Sequence, residues 1–273
     1  MPINPLPQTN SQQEEQYRRE ICLVGHRMYE RGYIVACEGS LSIRLDADRI
    51  LITPTCMNKG KMSPGDLVIM DMKGHHRPGD CKVSSEESMH LLFYRMRPDV
   101  RAVCHGHPAT ATGFAVAGQS LDHAFLPELA VTFGRIALLR CATPGAPELG
   151  ADIESHVPHY DALLLANYGA VTCGPDLVAA FTRMEILEHC AKTVLNTHLV
   201  GEPRSFSSRG PAKLLAPHLR YLMPAPRGSI AALRETCRNA NDASEEVTLT
   251  RAELNALVDE AVRKDRALWK GLV

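Results

Sequence analysis

Two histidines one residue apart, His105 and His107, close the apolar run Ala102-Val103-Cys104 and are followed by Pro108. Imidazole is the commonest protein ligand for transition metals, through its neutral ring nitrogen. If the run is a strand, residues two apart project to the same side and the two rings converge. Two converging imidazoles are half of a zinc or iron site. The alternative is a pair of histidines at a strand end that only hydrogen-bond to loops. The nine cysteines contain no C-x-x-C spacing and are odd in number. A zinc ribbon or disulfide framework is therefore not expected, and a reducing compartment is.

The elements that would carry this pair can be read on either side of it. Tyr17, Ile21, Val24 and Met28 fall at helical spacing from Gln12 to near Gly32. Residues 41–45, 49–54 and 66–72 read as strands, with Lys73-Gly74 as a turn. Ser84-Ser85-Glu86-Glu87 opens a helix whose apolar stripe is Met89, Leu92, Phe93 and Met96, and Pro98 ends it. Carboxylates at that start suit the helix dipole, so Glu86 taken alone is an N-terminal helix residue. Residues 101–107 follow as a buried strand and 108–118 as a small-residue helix. Residues 162–171 read as another buried strand that breaks at Gly169. A long helix runs from Pro175 to about Val200. The tail ends in a helix with Thr250 and Glu253 placed as a capping box. These elements predict an α/β layered domain over residues 12–205 and a mostly helical extension over 206–273.

Composition narrows the partners. The 273 residues carry 30 basic and 31 acidic side chains, a net charge of −1, with no basic run. Neither nucleic acid nor a membrane surface is expected as a partner. No apolar run approaches the roughly 18 residues of a membrane span, and the first residues hold no apolar signal core, so a cytoplasmic location is expected. No dinucleotide or Walker glycine motif occurs, and no nucleotide cofactor is expected.

The segment from Ser84 to Pro108, "SSEESMHLLFYRMRPDVRAVCHGHP", resembles the class II aldolase/adducin family. Further stretches match in order: "EGSLSIRL", "ILITPTCMNKGKMSPGDLVIMDMKG", "LPELAVTFGRIALLRCATPGAPEL" and "ALLLANYGAVTCGPDLVAAF". The resemblance covers about residues 12–200. It implies a three-layer α/β/α domain around a mostly antiparallel sheet, commonly a homotetramer with the site between subunits. It implies His105 and His107 as metal ligands and Glu86 as the carboxylate that shuttles a proton beside the substrate carbonyl. Zinc is the expected divalent ion, with iron or manganese as alternatives. The function it implies is a metal-dependent carbon–carbon lyase acting on a small hydroxylated carbonyl compound, such as a sugar phosphate. Decarboxylases and iron-dependent oxygenases of the same family, and a non-catalytic module like the adducin head, are the alternatives.

Two departures bear on that expectation. The third metal histidine of the family falls in an asparagine-histidine-glycine stretch, which here reads Asn167-Tyr168-Gly169. Tyr168 binds a metal only as phenolate, from an ordinary pKa of about 10, and phenolate favours harder ions than imidazole does. Glu128 is the first substitute, with His123, His156 and His159 behind it. In the phosphate pocket this chain offers Gly39-Ser40, Thr55-Cys56 and Ser84-Ser85. Serine stands for an asparagine, and cysteine for a glycine whose bare backbone would approach the anion. Lys59 is a further source of charge, although an exposed lysine is the commoner reading.

Overall fold

A computed structural model describes residues 10–121, 129, 132–133, 136–139 and 147–201. All of them fall in one compact unit. The predicted extension, residues 206–273, lies outside the described residues.

Helix α1 spans Ser11–Glu30, and the side chain of Asn10 caps it by accepting from the Gln13 amide at 2.8 Å. It buries Ile21, Val24 and Met28 of the predicted stripe, while Tyr17 is half-buried. Strands β1 (Ser40–Arg44), β2 (Arg49–Ile52) and β3 (Val68–Asp71) follow, with short 3-10 turns at Lys59–Lys61 and Pro64–Asp66 before β3. Then come α2 (Glu87–Met96), β4 (Ala102–Gly106), α3 (Ala109–Val116), β5 (Ala137–Leu139) and α4 (Pro147–His156). Strands β6 (Ala162–Leu165) and β7 (Gly169–Gly174) precede α5 (Leu177–Val200), which Asp176 caps through the Ala179 amide at 2.7 Å.

Among the described residues the strands form one sheet in the order β3-β2-β1-β4-β7-β6-β5. Every neighbouring pair is antiparallel except β5 with β6, which is parallel. Helices cover both faces. Ile21, Val24 and Met28 of α1, Ala111 and Ala115 of α3, and Phe181, Met184 and Leu187 of α5 form one core. Met89 and Phe93 of α2 and Ile153 of α4 form the other. This sandwiching explains the unbroken apolar run of β6: Leu164 faces the first core, Leu163 and Leu165 the second. No described helix is long and apolar enough to cross a membrane.

Residues 162–171 are not one strand. They fold as a hairpin, β6 and β7, whose turn holds Asn167 at φ +57°. Asparagine tolerates that left-handed conformation better than most residues. An added Cβ at Gly169 would lie 2.4 Å from Cδ2 of His107. The glycine therefore starts β7 and leaves room for an imidazole.

Candidate active site

Side-chain parity along β4 positions the site. Val103 packs in the core under α2 and α4, and Cys104 in the opposite core. His105, two residues past Val103, therefore faces α2. Its register partner on β1 is Ser40, and that of Val103 is Ser42. The two serines face α2 by the same alternation, with Leu41 and Ile43 turned to the other core. Beyond the strand, the His107 amide donates to the Tyr33 carbonyl at 2.7 Å. The buried Glu188 carboxylate then caps α3 through the Thr110 and Ala111 amides. The chain on either side of His107 is thereby held.

The two imidazoles meet edge to face, their centroids 5.1 Å apart. His105 is fully buried; its Nδ1 donates to the Ala170 carbonyl at 3.0 Å, a partner that can only accept. His107 donates from Nδ1 to Oε2 of Glu38 at 2.9 Å. In both rings Nε2 is buried and has no hydrogen-bond partner. Imidazoles oriented by a carbonyl or carboxylate behind them, with the opposite nitrogen vacant, are how metal-ligating histidines are held. The residues present thus fit a metal at two positions. Among the described residues no group of three His, Cys, Asp or Glu completes a shell. Glu128 and His123 lie outside the described residues. His156 stays with its own helix, bonded to the Asp152 carbonyl at 2.8 Å.

Glu86 sits at the N-cap of α2, yet its carboxylate makes no cap hydrogen bond. It turns instead toward the histidines, with Oε1 3.3 Å from Nε2 of His105. Tyr168 donates its hydroxyl to the same oxygen, and Ser40 donates to Oε2. Burial alone would raise the Glu86 pKa. With His105 protonated, its charge and hydrogen bond, together with the hydrogen bonds from Ser40 and Tyr168, outweigh burial and hold the carboxyl well below the usual range. Tyr168 reaches the place where the family's third histidine is expected, its ring 4.9 Å from that of His105. Burial and the Glu86 charge push its phenol up, so it stands here as a neutral donor.

The expected anion pocket is only partly assembled. Pro54 pairs with Val83, and the Thr55 amide donates to the Lys82 carbonyl, which brings Thr55-Cys56 alongside Ser84-Ser85. Ser84 is buried and Ser85 exposed. The Ser84 hydroxyl accepts from the Glu86 amide at 3.3 Å. Gly39 sits at φ +71° where a Cβ would lie 2.9 Å from the His105 carbonyl. Cys56 adopts φ +56°, the conformation that suits the family's glycine and costs a residue with a Cβ about 1–2 kcal/mol. Two expectations change. Ser40, placed by resemblance among the phosphate donors, gives its only hydrogen to Glu86. Lys59 is 2% exposed rather than solvated, and its Nζ donates to the Cys37 carbonyl at 2.6 Å.

Two side chains of the site were not singled out from sequence. Glu38 shows no readable signal, since only the fold brings it to His107. His90 does have one: it lies four residues after Glu86, on the same helix face.

The family profile described as Class II Aldolase and Adducin N-terminal domain matches residues 19–195. A 3-oxo-tetronate 4-phosphate decarboxylase of Haemophilus influenzae is 35% identical over 174 residues, 62% of this chain and 82% of the relative. An L-fuculose phosphate aldolase of Methanococcus maripaludis is 35% identical over 167 residues, 61% of this chain and 89% of the relative. The crystal structure of YgbL, a putative aldolase/epimerase/decarboxylase from Escherichia coli, superposes with a TM-score of 0.67 at 28% identity, covering 74% of this chain and 98% of YgbL. With this sheet and these matches, the chain belongs to the class II aldolase and adducin family, on its enzymatic side.

Proposed function

We propose that the chain is a metal-dependent carbon–carbon lyase acting on a small hydroxylated carbonyl compound that carries a phosphate. The observation behind this reading is the placement of Glu86. A carboxylate free to cap its helix turns instead to His105, whose Nε2, like that of His107, is buried without a hydrogen-bond partner. A module that only binds a partner has no use for that arrangement. His105 and His107 would hold the divalent ion, with zinc proposed from the imidazole donors and water or Glu128 completing the shell. When bound, the ion supplies Lewis-acid polarisation of the substrate carbonyl. Glu86 carries the proton to or from the carbon beside that carbonyl. Tyr168 donates its hydroxyl to Glu86. The assembly we propose is a homotetramer.

The relatives divide between aldolase and decarboxylase. Both reactions break a bond to the carbon next to a carbonyl and then protonate it, so one carboxylate serves either. Purified protein with stoichiometric zinc should exchange solvent deuterium into the cleaved ketone-phosphate fragment before any second substrate is added. A zinc-loaded protein that neither exchanges nor cleaves any of a panel of phosphorylated ketoses and 3-oxo acids would overturn the reading.

Lys59 supplies the cation for the phosphate in this proposal. Its ammonium is buried within electrostatic reach of Glu86, and desolvation lowers its pKa while the Glu86 charge works the other way. Loss of a charge-assisted hydrogen bond costs about 1.5–3 kcal/mol, roughly 10–100-fold. Lys59→Met should therefore raise KM for a phosphorylated substrate by about that factor. It should leave KM for the unphosphorylated analogue nearly unchanged. Equal increases for both would show that Lys59 does not contact the anion.

A further inference from the structure

Behind Glu86 a line of buried polar side chains runs between β1 and α2. Ser40 Oγ contacts Oε2 of Glu86 on one side and Nε2 of His90, at 2.8 Å, on the other. Nδ1 of His90 lies 2.6 Å from Ser42 Oγ, which lies 2.6 Å from the Tyr94 hydroxyl. Ser40, Ser42, His90 and Tyr94 are all at most 1% exposed.

The chemistry of the groups gives the line one direction. An ionised carboxylate only accepts, so Ser40 spends its single hydrogen on Glu86. Toward His90 the Ser40 oxygen can then only accept, and Nε2 of His90 must carry a hydrogen. Full burial pushes the His90 pKa down to about 3, against the opposing Glu86 charge, so the ring is neutral and Nδ1 has a lone pair. Ser42 must donate to that nitrogen, and Tyr94 to Ser42. Each donor is used once and each points toward Glu86. Ser42 has one hydrogen, and once it is spent on Nδ1 of His90 the Ser42 oxygen can only accept from the Tyr94 hydroxyl.

We infer that His90 is a positioning residue that decides which oxygen of Glu86 handles the proton. By holding Ser40 as a donor it keeps Oε2 a permanent acceptor. Oε1 accepts from the Tyr168 hydroxyl and is the oxygen beside His105, which makes it the one that takes and returns the substrate proton. This rests on Glu86 being the proton carrier of the proposed reaction.

The test uses the full chain. In 15N-histidine spectra at neutral pH, the resonances lost in His90→Gln should be those of a neutral Nε2–H tautomer. A neutral Nδ1–H tautomer or a cationic ring would overturn the inference. Glutamine can place an amide N–H where Nε2 stands, whereas asparagine reaches only the Nδ1 position. His90→Asn should lower kcat about 10–100-fold, the range for losing an outer partner of a site residue, with KM little changed. His90→Gln should retain most of kcat. Ser40→Ala should match His90→Asn, and the double variant should lose little more, since the two act through one bond. Equal kcat in the asparagine and glutamine variants, whether both high or both low, would sink the idea. If Glu86→Gln is itself fully active, the proposed function fails first. If Glu86→Gln is inactive while His90→Asn and Ser40→Ala turn over normally, only the role of His90 fails.

Discussion

Glu86→Gln lowers kcat by about 10²–10⁴-fold, the usual contribution of a positioned acid–base group, and leaves metal content and folding intact. The expectation follows from what the amide keeps and what it loses. Glutamine has the same shape, and its carbonyl oxygen can still accept from Ser40 at the Oε2 position. Its NH2 then stands where Oε1 was, facing the Tyr168 oxygen and His105. That group cannot take a proton from carbon. Because Glu86 caps nothing on α2, the helix loses no partner. Three measurements check this: deuterium exchange into substrate, metal analysis, and thermal unfolding. Exchange at the wild-type rate with metal retained would remove Glu86 from the mechanism and move the search for the base to Tyr168 or beyond the described residues.

Much of the site was legible because it rests on local periodicity. The period of two places His105 on one side of β4, and the Ser-Ser-Glu start places Glu86 at a helix end. Glycine at 169 marked a break. What could not be read were the contacts made across the sheet. The apolar stripe predicted for α2 was Met89, Leu92, Phe93 and Met96. In the fold Met89 and Phe93 are buried beside His90 and Tyr94, while Leu92 and Met96 are only partly covered. Buried polar groups are tolerated on a helix face only where partners meet them. Those partners, Ser40 and Ser42, come from a strand nearly fifty residues earlier. The same holds for Lys59, whose burial depends on packing against α1: a Cβ on Gly25 would come within 2.7 Å of the Lys59 carbonyl. The hairpin at 166–168 was missed because an apolar run does not announce where it turns. The parallel partner of β6 is set by a distant crossover.

His105→Ala removes most of the bound metal, and with it at least ten-fold of activity. Loss of an outer partner already costs about 10–100-fold in metal affinity, and a direct ligand must cost more. Only two imidazoles are offered among the described residues, so the remaining His107 stands alone on a side chain 23% exposed. His105 is completely buried, and its truncation also opens a cavity. Unfolding temperature must therefore be measured beside metal content, with His107→Ala as the less buried comparison. Both variants should release zinc in dialysis at concentrations that saturate the wild type. Tyr168→His should act in the opposite direction. Its ring lies 4.9 Å from His105 and 5.8 Å from His107. A third imidazole there would supply the third protein ligand that zinc sites normally have, so zinc should bind more tightly than to the natural phenol. That gain comes with a loss at Glu86, which forfeits the hydroxyl donated by Tyr168, so tighter zinc and slower turnover are expected together. Unchanged metal content in His105→Ala, in protein that still melts cooperatively, would show that the vacant nitrogens of this pair are not where the ion sits.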